Sequence, residues 1–538
     1  MTTLTPRGPY TEEELEKLYP RNLQLQLVQV LLRHGERSPV SARFRNHGLT
    51  PYWPYCNSAR QLTGVIMSTQ DWSRFDGLNY RRRIETFGPN DLPVIASGPD
   101  GQFDGVCMPG ELTDKGRATT LALGQRLRHL YVDQLGFMPR LISDSDMIYL
   151  RATPLPRALE SVQQTFWGMY PLSARTADFP SPTILTRTPA EETLYPNDGN
   201  CRRLAQLARA FAQRAADRWN DSDDMRYLSQ KLGKYMPDPT KGIAVDSRPR
   251  LSGIMDTVNS TLAHGPTTRL PADFYDPKAR NIIDRIGVEE WYAGYMESTE
   301  YRALGTGALV GDIVTRMVGN VQRDGRAGIL EVGGADGDDG GRLLGRGRGG
   351  ENKIKFALSG CHDTTLASLL SSFGAFDSEK WPPYSSHVAL ELFSKLDEMP
   401  AIGSINERNA ATTVPLTGSG GAKESRSWWA TLFGNGETGG DRKVPVIESS
   451  ARTPTGELSH EQRESLKGYY VRIRYNDKVM KVPGCMADGK HLDGDNSFCT
   501  LEAFKAIADK FTPRDWKKAC LSNLDEPAMP HKIETAGF

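Results

Sequence analysis

The sequence has 538 residues, and its 66 lysines and arginines balance 66 aspartates and glutamates. This balance excludes a global attraction to nucleic acid or to an anionic membrane, so any anion has to be held by local arginines. No apolar run is long enough to span a bilayer, and the glutamate-rich N-terminal region lacks the apolar core of a secretory signal. The seven cysteines form no C-x-x-C pair, so neither a metal site nor a cofactor is indicated. We expect a cytoplasmic protein with reduced cysteines, with the mitochondrion as the alternative location.

Apolar periodicity predicts strands that alternate with helices along the chain. In chain order the predicted elements are a strand at 23–32, a helix at 112–131, a strand at 147–150, a helix at 157–170, a strand at 353–358, a helix at 364–370, and strands at 387–393 and 469–475.

Two long segments interrupt this pattern. Residues 323–350 consist mostly of Gly, Asp and Arg, and residues 403–464 are rich in Ser, Thr, Gly and Pro. We expect both to be disordered, because they have too little apolar surface to offset the entropy of ordering. The second is predicted to be an insertion within a β-hairpin. Its apolar cluster from Trp428 to Phe433 either contacts a membrane surface or a partner, or packs back on the domain.

The strongest chemical motif is R-H-G-E-R-S-P, in which Arg33 and Arg37 flank His34 just past a buried strand. Ligands of open α/β sheets bind beyond the carboxyl ends of the strands. The planar guanidinium group forms bidentate, charge-assisted hydrogen bonds with phosphate, and a neutral imidazole can attack phosphorus. Gly35 is expected to let the backbone turn tightly. The alternative is a solvated Arg/His cluster at a strand end.

A second motif, His362-Asp363, also ends a predicted strand, so it can meet His34 at one crevice. An imidazole at this place can contact phosphoryl oxygens, and a carboxylic acid can protonate a leaving oxygen and then activate water. The plainer alternative is an Asp that caps a helix. Arg151 follows another predicted strand, and it is a candidate phosphate ligand or an ordinary solvated arginine.

These motifs resemble the histidine acid phosphatases, the acid phosphatase and phytase branch of the histidine phosphatase superfamily. The resemblance covers about residues 25–511, and within the family the lysophosphatidic acid phosphatases and their fungal relatives are most similar. The quoted matches are R-H-G-x-R-x-P, the Arg151-x-Thr153 segment with Arg157, the H-D pair, and the shorter pieces G-E-L-T at 110–113, E-T-L-Y-P-N at 192–197, K-W-P-P at 380–383 and V-P-G-C at 482–485.

The resemblance implies a fold and a domain plan. The expected fold is a three-layer α/β sandwich with a central, mostly parallel sheet, like that of phosphoglycerate mutases, and a mainly helical cap. The chain is expected to form a single domain from 22 to 525. The core is expected to comprise about residues 22–40, 110–175, 350–395 and 468–525. The cap is expected to comprise about residues 41–109 and 176–320.

The resemblance also implies site residues and a reaction. His34 matches the nucleophile, Asp363 the proton donor, His362 a phosphate-pocket histidine, and Arg33, Arg37 and Arg151 the phosphate clamp. The expected activity is hydrolysis of phosphate monoesters at acid pH, through a phosphohistidine and without a metal. The substrate is a lipid such as lysophosphatidic acid or a small molecule. Alternatives are an inositol-phosphate phosphatase, a mutase-type phosphotransferase, or a scaffold that binds phosphorylated partners without turnover. Cys485 and Cys499 are expected to be thiols.

Overall fold

A nine-stranded mixed sheet forms the centre of the molecule, and helices cover both of its faces. The computed structural model describes residues 2–68, 74–322, 354–376, 378, 380–396 and 450–538.

The described elements agree with the predicted α/β class and with the predicted strand and helix positions. The strands are β1 (Leu23–Arg33), β2 (Leu62–Met67), β3 (Phe75–Tyr80), β4 (Glu85–Phe87), β5 (Pro93–Ile95), β6 (Ile148–Ala152), β7 (Ile184–Leu185), β8 (Phe356–Cys361), β9 (His387–Lys395), β10 (Tyr469–Tyr475), β11 (Lys478–Met480), β12 (His491–Leu492) and β13 (Asp495–Thr500). The helices are α1 (Glu12–Leu18), α2 (Asp114–Arg128), α3 (Pro156–Met169), α4 (Arg202–Trp219), α5 (Asp223–Leu232), α6 (Leu251–Ala263), α7 (Pro277–Glu297), α8 (Thr299–Arg302), α9 (Ala308–Gln322), α10 (Asp363–Ser372), α11 (His460–Glu464), α12 (Leu501–Asp509) and α13 (Trp516–Ala519).

The order of the central sheet is β12-β13-β10-β9-β1-β8-β6-β7, with β11 paired to β10. Strands β1, β8, β6 and β7 run parallel, whereas β9, β10 and β13 add to the other edge in antiparallel pairs. The register of β1 against β8 pairs Arg33 with Cys361. The residues that follow these two strands therefore leave the sheet side by side.

Strand β1 is buried on both faces, which explains why its sequence becomes wholly apolar. Leu27 and Leu31 belong to one hydrophobic cluster, and Val28 and Val30 belong to a second cluster on the opposite face. Gln29 faces the first cluster, and its side chain is hydrogen-bonded to the side chain of Arg316 at 2.6 Å and to a carbonyl of α9 at 3.0 Å. The polar interruption in the strand is thus satisfied within the core.

The cap has a hydrophobic cluster of its own, built from side chains between residues 44 and 107 and between 216 and 286. Helices α5 and α6 and the first half of α7 supply half of its buried side chains. The predicted cap boundary at 320 needs correction, because Ile313, Val314 and Met317 of α9 belong to the cluster that packs on the sheet. An apolar helix is compatible with either layer, so the sequence alone did not separate them.

The segment predicted to be disordered at 403–464 is ordered in its last part. Ala451 and Leu458 are buried in the main core, and α11 lies between residues 460 and 464. This correction arises because two buried apolar side chains anchor a locally polar sequence. Strands β9 and β10 on either side of the segment pair antiparallel. Residues 323–350, residues 403–449 and the cluster from Trp428 to Phe433 lie outside the described residues.

Six of the seven cysteines form disulfides, so the expectation that Cys485 and Cys499 are thiols was wrong. The other pairs are Cys56–Cys107 and Cys201–Cys520, and Cys361 is free and buried. Partners that lie 319 residues apart along the chain give no signal in sequence spacing, since only the fold brings them together. Disulfides of this number are typical of oxidising compartments. Among the helices of the described ranges, none is long and apolar enough to cross a membrane.

Thiol titration of the denatured, unreduced protein should find one reactive cysteine per chain, Cys361, because the other six are paired. Replacing both Cys201 and Cys520 with serine should lower the free energy of unfolding by about 2–5 kcal/mol, measured by denaturant titration. Seven reactive thiols in protein isolated from its natural compartment without reductant would contradict the pairing.

Candidate active site

The loop after β1 approaches the α2–α3 pair very closely, and glycines make this approach feasible. A Cβ atom on Gly35 would lie 2.3 Å from the carbonyl oxygen of Gly116, and one on Gly116 would lie 2.2 Å from the carbonyl oxygen of Glu36. The Gly35 N–H donates a hydrogen bond to the Ser161 hydroxyl at 3.1 Å. Gly35 is therefore required for close packing, and its φ is not in the left-handed region that a tight turn would need.

The His34 ring is buried, and one of its two nitrogens is engaged in a hydrogen bond. Its Nδ1 lies 2.9 Å from the Gly35 carbonyl oxygen, which can only accept, so Nδ1 carries the proton and donates. The lone pair of the neutral ring is therefore on Nε2. The His34 ring centre lies 5.4 Å from that of His362 and 6.0 Å from that of Tyr384.

His34 is kept in its neutral form by its surroundings. Burial lowers its pKa most, and the positive charges of Arg157, Arg37 and Arg33 lower it further, to well below the usual value of 6.5. The imidazole thus keeps its nucleophilic lone pair at acid pH, where an exposed histidine would be protonated.

The second motif lies at the start of α10, and His362 is the cap residue of this helix. Its Nε2 lies 3.1 Å from the Thr153 hydroxyl, which follows β6. Asp363 occupies the first helical position, and its Oδ1 accepts the Thr364 N–H at 2.9 Å. A helix of 10 residues therefore presents its N-terminus, with its partial positive charge, to the crevice at the strand ends.

The Asp363 carboxylate has two strong partners. Its Oδ2 lies 2.7 Å from a guanidinium nitrogen of Arg33 and accepts the Trp381 indole N–H at 2.8 Å. Burial alone would raise the pKa of Asp363, but the Arg33 charge, the Trp381 hydrogen bond and the Arg37 charge outweigh it. The pKa is therefore held below its usual value, and the carboxyl is ionised in the free protein.

Tyr384 lies against both arginines of the first motif. The guanidinium carbons of Arg33 and Arg37 lie 4.1 Å and 5.9 Å from the ring centre. Arg33 also donates to the Pro382 carbonyl oxygen, and Arg37 is paired with Asp256 of the cap at 2.8 Å. The segment from Trp381 to Tyr384 thus builds one wall of the site.

Arg151 does not join this cluster. Its guanidinium nitrogens are paired with the buried carboxylate of Glu192 at 2.5 Å and with Asp312 at 3.5 Å. The prediction that Arg151 belongs to the phosphate clamp is therefore not supported by the geometry. The reason is physical: two carboxylates from residues distant in sequence already neutralise its charge, and this pairing cannot be read from a local motif.

Arg157, six residues later at the start of α3, takes the expected place. Among charged groups it has the largest effect on the pKa of both His34 and His362. Its guanidinium makes no ion pair with any residue that the structure describes. Burial and the neighbouring Arg37 lower the pKa of Arg157 to about 10, so it remains charged at neutral pH. The Arg-x-Thr-x-x-x-Arg spacing contained this residue, and the error lay in choosing the first arginine rather than the second.

The site thus combines a neutral imidazole with a free Nε2, three arginines, a second neutral imidazole and a carboxyl group. Positive charge that is only partly neutralised, next to a nucleophile, suits a bound anion with an electrophilic centre. Sequence reasoning gave no role in the site to Arg157, Trp381, Tyr384 and Asp256, which come from three different segments. Within the described ranges, no group of three or more His, Cys, Asp and Glu side chains is arranged to hold a metal ion.

Comparisons with known proteins agree with this chemistry. A family model described as "Histidine phosphatase superfamily (branch 2)" matches residues 24–410. The chain is 33% identical over 502 residues to a probable acid phosphatase of Schizosaccharomyces pombe, covering 93% of this chain and 95% of that protein. It is 26% identical over 380 residues to human lysophosphatidic acid phosphatase type 6, covering 70% of this chain and 75% of that protein. A solved Hafnia alvei phytase in complex with myo-inositol hexakis sulphate is similar over 93% of this chain and 99% of its own, with 11% identity and a TM-score of 0.49.

Substitution of the two arginines should separate anion binding from folding. Arg157→Ala should weaken competitive inhibition by inorganic phosphate by about 10- to 100-fold, since a hydrogen bond to a charged group contributes about 1.5–3 kcal/mol. Arg151→Ala should instead lower the free energy of unfolding by about 3–5 kcal/mol, because it leaves the buried Glu192 carboxylate unpaired. The measurements are phosphate inhibition constants and thermal unfolding. The reverse outcome would show that Arg151, rather than Arg157, binds phosphate.

Proposed function

Because the chain belongs to branch 2 of the histidine phosphatase superfamily, we propose that its site hydrolyses phosphate monoesters through a phosphohistidine at His34. The chain is a histidine acid phosphatase, and the proposal concerns its residues and its substrate. The observation that carries the proposal is the buried, neutral His34 with its Nε2 lone pair among the guanidinium groups of Arg33, Arg37 and Arg157.

In the first half-reaction, Nε2 of His34 attacks phosphorus and the bond from phosphorus to the ester oxygen breaks. The leaving oxygen takes a proton from the Asp363 carboxyl group, so an alcohol departs and the phosphoryl group stays on His34. The clamp arginines stabilise the charge on the phosphoryl oxygens, and the His362 ring lies beside them. The general acid is required because an alkoxide is a poor leaving group.

In the second half-reaction, the Asp363 carboxylate accepts a proton from water, whose oxygen attacks phosphorus. The bond from Nε2 to phosphorus breaks, inorganic phosphate leaves, and His34 returns to its neutral form. Asp363 ends protonated, ready for the next ester. The Arg33 and Trp381 partners hold one carboxylate oxygen and so fix its direction in both steps.

The two pKa directions together favour activity on the acid side of neutrality. Asp363 has to be protonated for the first half-reaction, and its lowered pKa means that a falling pH increases the protonated fraction. His34 also has a lowered pKa, so a falling pH does not remove the nucleophile until well below 6.5. The rate should therefore rise as the pH falls through neutrality, because both pKa values lie below neutrality, so the protonated fraction of Asp363 grows while His34 is still neutral.

An apolar cavity next to the site supports a lipid-type substrate. It has a volume of about 380 Å³, and its apolar lining comes from alanines of α4, including Ala205 and Ala208, and from Trp291 and Tyr292 of α7. Charged side chains also line it: Asp198, Arg209, Arg250 and Glu290. Its wall reaches Thr364, which follows Asp363, and the Tyr292 ring lies 5.1 Å from that of Trp381. The acyl chain of a lysophosphatidic-type phosphate can occupy this cavity while its phosphate meets the arginines.

The disulfides support a location other than the reducing cytoplasm. Three pairs, one of them joining Cys201, just before α4, to Cys520, just after α13, are difficult to maintain where thiol reductants are abundant. We infer that the protein matures in an oxidising compartment. This replaces the expected cytoplasmic or mitochondrial location as our proposal.

Rapid quenching of the native protein with labelled substrate should trap an acid-labile phosphoenzyme. His34→Ala should abolish both this phosphoenzyme and the turnover of p-nitrophenyl phosphate. Loss of turnover without any trapped phosphate in the native protein would favour direct attack by water. A native protein that binds phosphate but never releases p-nitrophenol would indicate a scaffold.

Asp363→Asn should affect poor leaving groups far more than good ones. The kcat for alkyl phosphates should fall by about 100- to 10,000-fold, the usual range for loss of a general acid, whereas formation of the phosphoenzyme from p-nitrophenyl phosphate should fall much less. Single-turnover kinetics measure both. Equal losses for both substrate types would show that another carboxyl group donates the proton.

The length of the alkyl chain of the substrate should test the lipid assignment. We expect kcat/KM to increase by at least about 10-fold from butyl to octyl phosphate, because each buried CH2 contributes about 0.8 kcal/mol. Ala208→Phe should remove this increase and leave p-nitrophenyl phosphate turnover unchanged, which also serves as the folding control. A flat series, with phytate as much the best substrate, would overturn the lipid assignment.

A further inference from the structure

One carboxylate of the cap reaches the loop that carries the nucleophile. Asp256 lies on α6, and only 14% of its side chain is exposed. Its Oδ1 lies 2.8 Å from Nη2 of Arg37. Its Oδ2 accepts the backbone N–H of Val40 and lies near Nη1 of Arg43, both at 3.4 Å. A single side chain therefore ties three positions of this loop to the cap.

The sequence of α6 is adapted to this contact. Gly253 lies three residues before Asp256, on the same side of the helix. A Cβ atom at Gly253 would lie 2.9–3.1 Å from the guanidinium atoms of Arg43, so a larger residue would require that flexible side chain to shift. The helix thus supplies both the carboxylate and the space beside it, and the contact does not depend on an exposed, mobile side chain.

Asp256 determines which atoms of Arg37 remain for a ligand. Nη2 of Arg37 is paired with Asp256, and Nη1 donates to the Ser38 carbonyl oxygen at 3.2 Å. Both terminal nitrogens are thereby fixed, and the buried Nε has no hydrogen-bond partner among the described residues. The position of the guanidinium plane over the Tyr384 ring follows from these two contacts.

Asp256 also adds negative charge to a site that has to bind phosphate. The charged groups around it are Arg37 and Arg43 of the loop, Arg157 of α3 and Asp363 of α10. It is the one titratable side chain on α6 itself. Asp363 already offsets Arg33, so Asp256 lowers the remaining positive charge that a phosphate group meets.

We propose that Asp256 is a positioning residue that aims Arg37 at the phosphate group and biases the site toward the monoanion of the ester. This inference rests on the proposed phosphatase function. A phosphate dianion next to a second fixed carboxylate is disfavoured by charge repulsion, whereas the monoanion present at acid pH is disfavoured less. The cap thereby contributes to the acid preference without taking part in a bond-making step.

Two substitutions separate the two roles. Asp256→Asn keeps an oxygen that can accept from Arg37 but removes the charge, so inorganic phosphate should inhibit about 10-fold more strongly at pH 7 than it inhibits the native enzyme, with a much smaller difference at pH 5. Asp256→Ala also frees Arg37, so KM for p-nitrophenyl phosphate should rise by about 10- to 100-fold at both pH values. Glu289→Gln, which alters a cap carboxylate paired with Arg218 at 3.0 Å, is the matched control and should leave the kinetics unchanged.

Phosphate inhibition constants between pH 4.5 and 8, with thermal unfolding of each variant, decide the outcome. An Asp256→Asn enzyme with the native pH dependence of phosphate inhibition would overturn the charge role. An Asp256→Ala enzyme that is folded and has native KM would overturn the positioning role. A native enzyme that neither releases p-nitrophenol nor binds phosphate would instead refute the proposed function itself.

Discussion

Parallel pairing between β1 and β8 is the interaction on which the site depends. It places Arg33 opposite Cys361, so the two histidines in the next positions leave adjacent strands at the same edge, with ring centres 5.4 Å apart. A shift of one residue would exchange the two faces of β1 and turn Leu27 and Leu31 out of their cluster. The core that fixes the register therefore also fixes the distance between the imidazoles of His34 and His362.

This arrangement brings several positively charged groups close together at the strand ends, which is electrostatically unfavourable. Three guanidinium groups and two imidazoles share a poorly hydrated crevice, where unpaired charge is disfavoured. The structure relieves the strain in two ways. The imidazoles stay neutral, and Asp363 and Asp256 each pair with one arginine of the first motif. Arg157 keeps its charge without an ion pair among the described residues, which leaves the site ready for an anion.

Much of the core was predictable from the sequence, whereas the surroundings of the site were not. Strand β1 and the His362-Asp363 helix start were evident because apolar periodicity and motif coincide there. The pairing of Arg151 with Glu192 was not predictable, because the two residues lie 41 positions apart. The disulfides and the ordered segment near Ala451 were missed for the same reason: each depends on contacts between residues that are distant in sequence, which a local pattern cannot report.

The two carboxylates of the site, Asp363 and Asp256, come from different layers, the first from the core and the second from the cap. Asp363 is placed by β8 and α10 of the core, which keep its position constant relative to His34, as the proposed role of general acid requires. Asp256 is placed by α6, whose remaining buried side chains belong largely to the separate hydrophobic cluster of the cap. A change in the packing of the cap can therefore alter the orientation and charge of the Arg37 region while the nucleophile and the acid keep their geometry. Trp291 and Tyr292, which line the cavity, lie in the second half of α7, and Tyr292 belongs to the cluster that packs on the sheet. The effect of Asp256 on the charge of the phosphate clamp is thus separable from phosphoryl transfer, because Asp256 and the His34–Asp363 pair belong to different layers of the fold.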